Sequence, residues 1–192
     1  MKSYIFFIAI LFMSANLSYS QTFQIGVKGG VNFSNFYGND LSNISSDVLL
    51  GFHAGGLINL KFGSVFSVQP ELLISSQGAK LKNAVNKENF KATYFNIPLM
   101  LKFNIHSGIY AEVGPQAGFK IGENNNTNTD IKNLDTAIAG GLGYHSNSGF
   151  GIGARYIAGL SKVGDINFGG GVNPDYKNST IQVSLFYTFF NN

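Results

Sequence analysis

The chain has 192 residues, 12% of them charged and 44% hydrophobic, with a formal net charge of +3. Charged residues make up about a quarter of an ordinary soluble domain, and low charge with this much apolar content excludes a disordered chain. The absence of cysteine excludes disulfide scaffolds, zinc–thiolate centres, thiol catalysis and iron–sulfur clusters. The basic residues are scattered lysines and one arginine, which gives no patch for nucleic acid.

Residues 1–20 read as an export signal. Lys2 supplies the basic start, Tyr4 to Met13 form an uncharged apolar run, and Ser18-Tyr19-Ser20 offers a small-x-small cleavage site before Gln21. The apolar run is far short of the ~20 residues that a spanning helix needs. Cleavage after Ser20 leaves residues 21–192 as one exported domain. With no cysteine after the site, lipoprotein attachment is excluded.

From residue 23 onward the hydrophobic period is two. Phe23, Ile25, Val27, Val31 and Phe33 alternate with Gln24, Lys28 and Asn32, which gives a strand one apolar face and one polar face. The pattern returns over 52–61, 66–75, 94–103, 109–120, 138–144, 150–156 and 181–189. Those eight segments are about as long as a tilted membrane strand requires. The links alternate too. Residues 62–64, 104–107 and 145–148 are tight turns, whereas 36–47, 78–91, 123–133 and 161–177 are long and polar. Short turns at one end and long loops at the other predict an all-β fold, an eight-stranded antiparallel transmembrane β-barrel with both termini on the periplasmic side.

Aromatic residues fall near both ends of the apolar faces, as interfacial girdles require. Phe62, Phe66, Phe103, Tyr144, Phe150, Tyr187 and Phe189 lie toward the short turns, and Phe33, Phe52, Phe95 and Phe119 toward the loops. Pro70, Pro98 and Pro115 sit inside proposed strands, where each removes a ladder donor, so local bulges or irregular pairing are expected there.

Several segments resemble a known family. Gly51-Phe52-His53-Ala54-Gly55, Val68-Gln69-Pro70-Glu71-Leu72-Leu73, Gln77-Gly78-Ala79-Lys80, Tyr94 with Ile97-Pro98-Leu99-Met100-Leu101-Lys102, Gly114-Pro115 and Arg155-Tyr156 with Gly159-Leu160 are similar to the outer-membrane β-barrels of Bacteroidota labelled PorT-like or "porin family". The resemblance spans nearly all of residues 21–192. It implies an eight-stranded, OmpX-like barrel in the outer membrane, with the in-strand prolines and the aromatic-rich C-terminal strand that serves as an assembly signal. PorT itself resembles a secretion-system component, which makes an accessory subunit of a secretion or envelope machine the alternative role.

An eight-stranded barrel is just wide enough for side chains to fill it. Strand parity puts Lys28, Gln69, Glu71, Asn96, Lys102, Glu112, Gln116, Lys120, Asp135, Arg155, Gln182 and Ser184 inside. Counting from the strand ends places Lys28, Glu71, Glu112 and Arg155 at one mid-membrane depth, a neutral set of two cations and two carboxylates. Such a set reads as a structural lumen network, because buried charges need partners. Lys120 and Asp135 flank the third long loop on neighbouring strands and are expected to pair.

No catalytic constellation emerges. His53 points inward with no partner evident in the sequence, while His106 and His145 fall in periplasmic turns where water solvates them. Three scattered histidines have no zinc spacing, residues 123–130 lack the order of a calcium loop, and no glycine-rich stretch opens a helix. The expectation is therefore a non-enzymatic outer-membrane protein without cofactor or metal. Its four long loops would serve surface contact or envelope support. Its partners would be outer-membrane lipid, the barrel-assembly machinery and possible envelope or secretion proteins. A soluble lipocalin-like barrel is the third reading, but it needs apolar residues inside.

Overall fold

Alternating side chains make each segment a two-faced strand, and no single strand can satisfy its own backbone in lipid. Closure of the sheet on itself removes every edge. The computed structural model describes residues 21–37, 45–82, 87–124, 134–162 and 177–189. They form β1 (Gln21–Tyr37), β2 (Ser45–Phe62), β3 (Phe66–Lys82), β4 (Lys87–His106), β5 (Ile109–Asn124), β6 (Leu134–His145), β7 (Phe150–Lys162) and β8 (Lys177–Phe189). Each strand pairs with the next, and β1 pairs antiparallel with β8 from Ile25↔Phe189 to Tyr37↔Lys177, closing the barrel. The expected signal sequence, residues 1–20, lies outside the described residues.

The faces are inverted relative to a soluble barrel. On β3, Leu72 is 54% exposed and its neighbour Leu73 only 1%. Ile58, Leu99, Val113 and Ile152 are likewise on the outer wall, while Gln24, Asn32, Gln69, Glu71, Asn96, Lys102 and Gln182 are buried inside. A lipocalin-like ligand barrel requires the opposite arrangement.

Strands β1 to β5 run 16–20 residues, well beyond the ~10 that cross a bilayer at a tilt. Much of the expected loop over 78–91 is in fact ladder, continuous from Gly78↔Lys91 to Lys82↔Lys87. Over 78–91 apolar and polar residues do not alternate strictly, so the sequence carries little strand signal there. At the opposite end the turns are tight: Phe62 pairs with Phe66 around Gly63, whose φ of 75° suits the reversal. Phe62, Phe66 and Phe103 meet in series as tilted rings at 6.0 and 5.5 Å, and Phe150, Tyr187 and Phe189 at 4.8 and 5.1 Å, the last pair edge-on.

At the prolines the irregular pairing takes the form of missing rungs, not bulges. Register is the same on both sides of each: Leu57↔Glu71 and Leu60↔Val68 flank Pro70, Pro70↔Leu99 and Leu73↔Asn96 flank Pro98, and Pro98↔Gln116 and Leu101↔Val113 flank Pro115. Only the rungs between are missing from these ladders. A proline has no N–H, so each opens a rung toward the preceding strand without a bulge. Among the described residues the register shifts fall elsewhere, at Val48/His53, Thr93/Tyr94, Asn104/His106 and Ala158/Lys162.

Candidate functional site

The lumen is built in layers. At its middle, the odd-numbered strands each send one charged side chain inward: Lys28 from β1, Glu71 from β3, Glu112 from β5 and Arg155 from β7. Arg155 donates Nη1 to Glu71 Oε2 at 3.0 Å, Nη2 to Glu71 Oε1 at 2.9 Å and Nε to Glu112 Oε1 at 2.9 Å. Lys28 Nζ reaches Glu71 Oε1 at 3.1 Å, and Gln69 Nε2 donates to the same oxygen at 2.7 Å. All four charged side chains are at most 5% exposed. One guanidinium thus holds two carboxylates from opposite sides, and its planar fork fits the bidentate bond to Glu71.

Toward the short turns, Lys102 Nζ donates to Gln69 Oε1 at 3.1 Å and lies 3.6 Å from the centre of the Tyr110 ring. Tyr110 packs edge-on against Phe186, and Phe186 against His145 at 5.1 Å. These rings lie inside the barrel because the facing positions are glycine. A Cβ on Gly151 would stand 2.0 Å from the Phe186 ring, and one on Gly143 2.4 Å from Tyr110. Strand glycines admit such close approach. His145, expected to be solvated, instead packs on Phe186 and meets Thr188 Oγ1 at 3.0 Å.

Toward the loops, Asn32 is the hub. Its Nδ2 donates to Ser75 Oγ at 2.9 Å and to the Ser76 carbonyl at 3.1 Å. Its Oδ1 therefore faces His53 Nδ1 at 2.9 Å and Gln182 Nε2 at 3.2 Å. An amide oxygen only accepts, so Nδ1 carries the proton, and in the neutral ring Nε2 accepts from Ser184 Oγ at 2.9 Å. His53, which had no partner legible in sequence, has two. The order Asn32–His53–Ser184 is that of a hydrolase relay. All three residues are buried, however, and a nucleophile needs an open face for substrate.

Lys120 and Asp135 are not brought together. The β5–β6 register sets Gly118, not Lys120, opposite Asp135, so the lysine stands one step nearer the loop. The side chain within hydrogen-bonding range of Asp135 is Asn178 of β8. No ion pair joins Lys120 to Asp135 among the described residues. Counting residues fixes height only to within such a diagonal. A double-mutant cycle on Lys120→Gln and Asp135→Asn is expected to give a coupling below about 0.5 kcal/mol by chemical unfolding in detergent, as for residues out of contact. Among the described residues no group of three or more His, Asp or Glu could hold a metal ion.

With the barrel's closure and charged lumen in view, residues 16–165 match the family described as "Outer membrane protein beta-barrel domain". The chain belongs to that family. Among solved structures, this outer-membrane barrel is similar to Neisserial surface protein A (TM-score 0.55, 11% identity, covering 86% of this chain and 97% of that one). It is also similar to Ail of Yersinia pestis in complex with the heparin analogue sucrose octasulfate (0.51, 16%, 87% and 99%). A third is OprG of Pseudomonas aeruginosa (0.51, 11%, 88% and 97%). At these identities the likeness is one of fold. No curated protein matches the chain by sequence.

Proposed function

We propose that this protein is a non-enzymatic integral outer-membrane barrel, exported with cleavage after Ser20. Its filled lumen acts as a rigid support, and its long outer links serve surface contact or envelope stability. The observation that carries this reading is the four-charge layer: Arg155 ties β7 to β3 and β5, and Lys28 ties β1 to β3, across the whole bore. A layer held by buried charge-assisted bonds resists opening, and an eight-stranded barrel has little room beside it. The burial of Ser184 and His53 supports the absence of hydrolase chemistry. The PorT-like resemblance of the sequence keeps an accessory role in an envelope or secretion machine as the alternative, and co-purified envelope proteins would favour it.

Planar-bilayer recording of the refolded protein tests the filled lumen. The expected record is a baseline without stable porin-like steps. Large, sustained conductance would contradict it.

A further inference from the structure

We infer that the periplasmic mouth of the barrel is a binding cup for a small solute bearing an oxyanion, a carboxylate or a phosphate. A cavity of about 550 Å³ opens between the short turns, lined by Gln24, Lys61, Asn104, His106, His145 and Asn147 with neighbouring turn residues. Strand parity explains the convergence. Lys61 lies on the inward face of β2 with Leu57 and Asn59, and Gln24 on that of β1 with Lys28, while His106 reaches the cavity from the end of β4, past the register shift at Asn104/His106.

The charge of this end is one-sided. Among the described residues no aspartate or glutamate lines the cavity. The nearest carboxylates above it, Glu71 and Glu112, are engaged by Arg155, and Glu71 also by Lys28. Lys102, just above, is held by an amide oxygen and an aromatic face rather than by an ion pair. Lys61 makes no ion pair among the described residues. Lys61 at the mouth of the bore thus has no carboxylate partner among the described residues, and a walled cleft of one sign concentrates counter-ions. Serine hydroxyls of Ser64, Ser107 and Ser146 add hydrogen-bonding groups to the ammonium and the two imidazoles.

The cup is also blind. His145 in its wall packs on Phe186, and Phe186 on Tyr110, so the aromatic layer stands between the cup and the charged layer. A solute entering from the periplasm would therefore be retained rather than passed through.

The test uses the full barrel in lipid nanodiscs, titrated separately with citrate, inorganic phosphate and uncharged glucose. The readout is the imidazole resonances of His106 and His145. Saturable shifts with citrate, with phosphate or with both are expected, and which of them binds distinguishes the carboxylate from the phosphate source. Glucose should leave the resonances in place. Lys61→Gln should weaken binding about tenfold, as loss of a charge-assisted contact does. His106→Gln, at an exposed position, provides a second variant that leaves the fold intact, and it should weaken binding severalfold. Lys120→Gln at the opposite rim should change nothing. Absence of saturation by either anion, equal shifts with glucose, or affinity unchanged in both Lys61→Gln and His106→Gln would overturn the inference. Bilayer conductance is a separate readout, so failure here is distinguishable from failure of the filled-lumen reading.

Discussion

Arg155→Met is expected to destabilise the barrel by about 3–5 kcal/mol, the usual consequence of removing one partner from a buried ion cluster. Arg155 satisfies Glu71 through two bonds and Glu112 through one. Its loss leaves Glu71 with Lys28 alone and takes from Glu112 its ion-pair partner, with Lys102 as its cross-strand neighbour. Urea unfolding in detergent, followed by heat-modifiable electrophoretic mobility, measures the change. Adding Glu112→Gln restores neutrality, with Lys28 left facing Glu71, and should recover part of the loss. An Arg155→Met variant as stable as the parent would mean that the layer contributes nothing.

Leu72→Arg should cost about 2–4 kcal/mol, because Leu72 faces the hydrocarbon near the membrane midplane and a cationic side chain there must reach the interface or thin the bilayer. Its depth follows from Glu71, the next residue, which sits in the central charge layer. Leu160→Arg places the same charge on the same face near the loop-side end of β7, where Leu160 is 58% exposed. There the expected cost falls to about 0–1 kcal/mol. Folding free energies in phospholipid vesicles compare the two, and equal costs would contradict the assigned depth.

The fold was legible because a membrane barrel writes its wall into the chain with period two. Leu72 and Leu73 differ in fate solely by parity, and the same parity placed Lys28, Glu71, Glu112 and Arg155 on the inner wall. Height and lateral reach were less legible. Lys120 and Asp135 looked level by counting, yet register decides contact, and the β5–β6 ladder sets Asp135 against Gly118. The partners of His53 come from β1 and β8, at sequence separations of 21 and 131 residues, which no local pattern encodes. The aromatic layer of Tyr110 and Phe186 did leave a signal, since Gly143 and Gly151 are strand glycines whose absent side chains make room for those rings. The ladder over 78–91 left none, because apolar and polar residues do not alternate strictly there.

The central claim is that the apolar face meets lipid while the polar face is packed inside the bore. The chain has no cysteine, so single-cysteine variants report each position cleanly. Spin labels at Leu72, Leu99, Val113 and Ile152 are predicted to relax strongly with lipid-soluble oxygen and weakly with a water-soluble nickel chelate. Labels at Gln69, Gln182 and Ser184 should be shielded from both in every variant that folds. High nickel accessibility along Gln69, Gln182 and Ser184 would contradict the filled lumen, and shielded labels at Leu72, Leu99, Val113 and Ile152 would contradict the membrane barrel itself.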